Sequence, residues 1–126
     1  MANTSNRYKW VSAVLACFLY GGWAYYINSG SHPLDGLASG IVQGISSFFL
    51  TFSIVVAVTK IYNRSLFSGV LSVLMPAVVT VGGVAVVLTL IHFVIGTSHI
   101  FPTILPSVLV ASVFCIVTAK KLEMAS

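Results

Sequence analysis

At 126 residues, 58% of them hydrophobic and 6% charged, the chain has too few charges to cover a soluble surface, where about 25% is usual. Its mean hydropathy of +1.05 reads as an integral membrane protein of one domain, residues 1–126, with no room for a soluble domain between its apolar runs. The net charge of +4 comes from Arg7, Lys9, Lys60, Arg64, Lys120 and Lys121, each just beyond an apolar run. That placement excludes a nucleic-acid surface and reads as a topology signal.

Residues 1–9 are polar and basic and are expected to form a cytoplasmic tail. The first span is expected over 10–28, long enough at about 1.5 Å per residue to cross the hydrocarbon. Tyr8 and Trp10 flank one end and Trp23, Tyr25 and Tyr26 the other, as interfacial aromatic belts do. Ala13, Cys17, Gly21, Ala24 and Asn28 recur at helical steps and form a stripe of small residues ending in an amide. Val14 to Cys17 resembles a lipoprotein cleavage box, but the apolar run before it is too short for a signal peptide. The segment is therefore expected to stay as a span. Cys17 and Cys115 both fall in apolar helices without paired spacing, and are expected to behave as small apolar residues.

Pro33 breaks the chain in the loop 29–35, and Asp35 is placed to cap the next helix. The second span is expected over 36–60. Gly36, Gly40 and Gly44 lie four apart, forming two overlapping G-x-x-x-G patterns that permit close backbone approach in lipid. Gln43, Ser47 and Thr51 run beside them at the same spacing. Lipid cannot satisfy polar groups, so this face is expected to point at protein or at a wet cavity. Lys60 and Arg64 close the span, and residues 62–65 read as a tight turn with Ser65 capping the next helix.

The third span is expected over 66–95. At about 1.5 Å per residue it exceeds a roughly 30 Å core by about half, so it should tilt, or kink at Pro76 or Gly82-Gly83. Two stripes of small and polar residues run along it: Gly69, Ser72, Pro76, Thr80, Gly83, and Gly82, Ala85, Thr89, His92, Gly96. The loop 96–102 carries no Lys or Arg. The fourth span is expected over 103–119, with the stripe Thr103, Ser107, Ala111, Cys115, Thr118, and is closed by Lys120 and Lys121.

In this arrangement all the Lys and Arg residues lie on one side. The expected fold is an all-α, four-helix transmembrane bundle with both termini in the cytoplasm, and the short loops and tails point to a bacterial inner membrane. Gly36, Gly40, Gly44, Gly21 and Ala111 are the candidate helix-packing positions. Asn28, Gln43, Ser47, Thr89, His92 and Ser107 are the candidate polar pocket, biased towards the outer side; the stripes read first as packing surfaces, with a cavity open to the outside as the alternative. The middle of every span lacks Asp, Glu, Lys and Arg, and no serine sits in a nucleophile elbow. The spacings of His32, Asp35, His92 and His99 match no metal motif. A catalytic residue, a metal and a cofactor are therefore not expected, and an enzyme using His92 is the weakest reading. The favoured function is a small non-enzymatic protein acting as a homo-oligomer or as a subunit of a larger membrane complex. Its expected partners are the lipid bilayer and a second copy or another membrane protein, with no nucleic acid. The alternative is a transporter or flippase of a small or lipid-like substrate through the outward polar pocket.

Overall fold

The computed structural model describes residues 2–30 and 32–125, with the backbone alone for residues 2–6, 8 and 9. Four helices follow in order: α1 (Ala2–Asn28), α2 (Pro33–Arg64), α3 (Val70–Ile95) and α4 (Ile100–Ala125). Each is long and apolar enough to cross a membrane. Among the described residues there is no strand. The protein is thus an all-helical bundle of four potential spans, as its composition requires.

Several boundaries differ from the sequence reading, each for a local reason. The polar residues 2–9 continue α1 as helix, ahead of the apolar stretch Trp10–Asn28. The interfacial place expected of Tyr8 lies outside the described side chains. Asp35 does not cap α2. His32 does, its Nδ1 accepting from the Leu34 N–H at 3.3 Å. Asp35 instead sits in the first turn, where an anion favours the positive end of the helix dipole. Ser65 does not open α3: it ends α2, and its hydroxyl accepts from the Phe67 N–H at 3.2 Å. The chain then stays irregular until Gly69, whose φ of 64° suits glycine, and α3 starts at Val70. The third helix therefore has 26 residues, about 39 Å at the usual rise, which exceeds a roughly 30 Å core by about a third rather than by half. Gly96, with φ of 76°, ends it in the left-handed cap that glycine favours. The fourth helix begins earlier than expected, at Ile100, and runs through Lys120 and Lys121 to Ala125. Lys120 pairs with Glu123 at 2.7 Å on its exposed side.

α2 is the central helix, touching the other three. α3 and α4 form a second pair, and α1 lies chiefly on α2 and touches α4 sparsely. Among the described residues α1 and α3 do not meet. The α1–α2 contact is set by glycine. A Cβ built on Gly21 would stand 2.9 Å from the Gly40 carbonyl oxygen and 3.2 Å from Gly44 Cα. One built on Gly44 would stand 3.0 Å from the Cys17 carbonyl oxygen. Gly36 meets Ser29, where a Cβ would fall 2.7 Å from Cα. The glycine ridge of α2 is thus spent inside one chain, against the small stripe of α1.

The core between α2, α3 and α4 is apolar: Ile54, Val58, Val73, Ala77, Val84, Leu88, Ile104, Ala111, Cys115 and Ala119. Both cysteines are free. The lipid-facing surface is Leu, Val, Ile and Phe, as expected when the solvent is hydrocarbon. Neither expected stripe of α3 forms the buried face intact. That face is Ser72, Pro76, Thr80, Val84, Leu88 and His92, a row at steps of four that takes members of both stripes. Gly69, Gly82, Gly83, Thr89 and Gly96 are exposed. Val73 and Ala77 are buried beside this row, and apolar Val84 and Leu88 continue it where the expected stripes would have placed glycine.

Candidate functional site: a buried polar seam and the cleft beneath it

Beneath the two loops that lack Lys and Arg, α2, α3 and α4 bring their strongest polar groups together. Gln43 and His92 are both fully buried, with 0% exposure. Gln43 comes inward because it lies on the packed face of α2, one step from Ser39 and Ser47. His92 ends the buried row of α3. His92 Nε2 lies 2.6 Å from Gln43 Oε1, and His92 Nδ1 lies 2.7 Å from Thr97 Oγ1. Thr97 Oγ1 lies 3.1 Å from Ser39 Oγ. On its other side the Gln43 amide donates to Ser107 Oγ at 2.8 Å and to Ser47 Oγ at 3.3 Å. A second cluster ties α1 to α4. Asn28 donates to Thr103 Oγ1 at 2.7 Å and accepts from the His99 N–H at 3.0 Å. Beside it the Trp23 Nε1–H donates to the Pro102 carbonyl at 2.8 Å.

Of the six candidate pocket residues, Gln43, Ser47, His92 and Ser107 form one network and Asn28 belongs to the adjacent cluster. Thr89 belongs to neither. It faces away, exposed, and its hydroxyl donates to the Ala85 carbonyl of its own helix at 2.7 Å. One hundred degrees per residue carries it off the buried row that Leu88 and His92 occupy. Two network members were missed from sequence. Ser39 had a signal, since it stands four residues before Gln43. Thr97 had none, being a loop threonine placed by the Gly96 cap, where the Thr97 N–H bonds the His92 carbonyl at 2.9 Å.

At the loop end the polar groups close on one another, with Gln43 and His92 fully buried. The open space lies lower and to the side. A cavity of about 320 Å³ sits between α1 and α4, with α2 and α3 as its floor. Ser47, Ile54, Val84, Leu88 and Ala111 form buried floor and wall, while Leu15, Leu19, Val110 and Phe114 are exposed at the rim. Exposed rim residues on both flanking helices make this a cleft open sideways, at mid-span, where a bilayer is hydrocarbon. Its walls are largely apolar, and Ser47 and Ser107 connect it directly to Gln43. Among the described residues no group of three or more His, Cys, Asp or Glu side chains converges.

The chain matches no known protein family, no curated protein and no solved structure.

Proposed function

We propose that this chain is a non-enzymatic carrier in a membrane, taking a lipid-like molecule from the bilayer into the cleft between α1 and α4. The observation that supports this is the cleft itself: about 320 Å³, open to the side, with apolar walls and hydroxyls at its inner end. A cavity of about 150 Å³ takes benzene, so this one takes a substituted ring or a chain segment. It is too small for a transmembrane helix of roughly 10 Å diameter. The placement of Lys and Arg supports both termini in the cytoplasm. The test is extraction of the purified protein and mass spectrometry of what comes with it. The wild type should retain a lipid-like molecule in near-stoichiometric amount, and Ala16→Phe and Ala111→Phe, which fill the cleft from opposite walls, should lose it. Equal retention in all three proteins refutes the carrier reading.

A second reading, a subunit or homo-oligomer, is favoured by Gly82 and Gly83. Both are exposed on α3, and a Cβ at either meets nothing within 4 Å. Such a flat patch suits close approach of another helix. A defined oligomer in detergent that Gly83→Leu dissociates would favour it.

A further inference from the structure

Hydroxyls in transmembrane helices commonly donate to the carbonyl one turn back, which satisfies them without a partner. Thr51, Ser53, Thr89, Ser112 and Thr118 all do so here. Ser47 and Ser107 do not. The seam above them explains why their oxygens are occupied and their hydrogens are not.

The seam has a direction. Gln43 Oε1 can only accept, so the His92 nitrogen 2.6 Å from it, Nε2, carries the hydrogen. No carboxylate belongs to the seam, and an unpaired buried cation is costly, so the ring is neutral and Nδ1 is a bare acceptor. The Thr97 hydroxyl therefore donates to Nδ1, and Thr97 in turn accepts from Ser39. At the other end the Gln43 amide has two hydrogens, and they go to Ser107 and Ser47. Every donation runs the same way, from the loop end of the bundle down to the cleft. It stops at two serine oxygens whose own hydrogens have no acceptor among the described residues.

Both serines line the cleft. Their oxygens lie 3.3 and 2.8 Å from the one Gln43 amide nitrogen, and two such neighbouring donors match the two lone pairs of one carbonyl oxygen. Lys, Arg, Asp and Glu are missing from the described lining, so a charged head group would lie unpaired in hydrocarbon. The cleft sits at mid-span rather than at the head-group level, so the polar group it meets is one that a lipid carries into the bilayer interior.

Building on the carrier reading, we infer that the cleft binds a neutral carbonyl-bearing amphiphile, of the alkylated-quinone or long-chain-ketone class, with its carbonyl oxygen accepting from Ser47 and Ser107. The tail trails past Leu15 and Phe114 into the bilayer.

The experiment compares three probes of equal chain length on the purified protein in detergent: decyl-1,4-benzoquinone, decylbenzene and 1-decanol, read by native mass spectrometry. The quinone should bind at least ten-fold more tightly than either of the others. Ser107→Ala should cut that preference several-fold while leaving decylbenzene binding unchanged, which also certifies that the variant is folded. Equal binding of quinone and decylbenzene overturns the carbonyl assignment and leaves the carrier reading standing. Decanol binding as tightly as the quinone overturns it too. Failure of all three probes to bind the wild type overturns both.

Discussion

The glycine contact between α1 and α2 makes a prediction whose sign depends on which glycine is changed. Gly21→Ala places a methyl 2.9 Å from the Gly40 carbonyl oxygen and 3.2 Å from Gly44 Cα, both backbone atoms that cannot swing aside. Relaxing 2.9 Å to an ordinary contact of 3.4 Å separates the helices by ~0.5 Å. A gap of that size already forfeits about a quarter of the dispersion well along the interface. Overpacking of this kind costs about 1–3 kcal/mol. Against it stands the gain of alanine over glycine in a helix, about 0.5–1 kcal/mol. The net is destabilisation of up to about 2.5 kcal/mol, about 1 kcal/mol at the middle of both ranges. Gly22→Ala is the control one residue away. A Cβ there meets nothing within 4 Å, so the propensity gain stands alone and the variant should be neutral or slightly more stable. Reversible unfolding by sodium dodecyl sulfate in mixed micelles, followed by the tryptophans, reads both. If Gly21→Ala and Gly22→Ala shift the midpoint alike, the close approach of α1 and α2 is not what holds them together.

Gln43→Leu should cost about 1–3 kcal/mol in the same assay, because it strands His92 Nε2 in the interior and frees both serines. A loss under about 0.5 kcal/mol would show that the seam is slack. Asn28→Ala should cost about 1–2 kcal/mol through its lost bonds to Thr103 of α4 and to His99 in the loop just before it. An unchanged midpoint would mean those bonds do not form. Thr89→Val should stay within about 0.5 kcal/mol, since its exposed hydroxyl bonds only its own helix. A larger loss would put Thr89 in a contact that the bundle does not have. Thr80→Val should raise stability by about 1 kcal/mol, since the Thr80 hydroxyl is buried without a partner among the described residues. Destabilisation would mean the hydroxyl has an acceptor in the membrane.

The four helices were legible because hydrocarbon is an undemanding solvent to read: long apolar runs mark them. Their ends were less so. Leu66 and Phe67 look like the start of a span, yet Leu66 is fully exposed, and nothing in their side chains distinguishes interface from interior. The glycine spacing on α2 announced close packing but not the partner, since spacing on one helix carries no information about which other helix matches it. Gln43 and His92 were findable because a strong polar group in lipid needs company. Thr97 was not, because its place depends on the backbone turn at Gly96 rather than on periodicity. Thr89 was misplaced because α3 has weakly polar residues on several faces, and a threonine that bonds its own helix can face lipid at little cost.

The two polar clusters also account for where the bundle opens. Without a hydrophobic force between helices, close packing and specific bonds decide which pairs hold. α1 meets α2 along the ridge from Gly36 to Gly44. The seam joins α2 to α3 through Gln43–His92, and α2 to α4 through Gln43–Ser107. α1 meets α4 through Asn28 and Trp23, all at the loop end. Further along, towards Ser12 and Phe114, the two helices have no such tie among the described residues, and the cleft lies between them. The bonds of Asn28 therefore act as the hinge end of the α1–α4 junction, which parts only below them. Loosening that end by Asn28→Ala frees α1 to move as a body on α2, and exchange of a bound molecule should then quicken even where its affinity for Ser47 and Ser107 is unchanged.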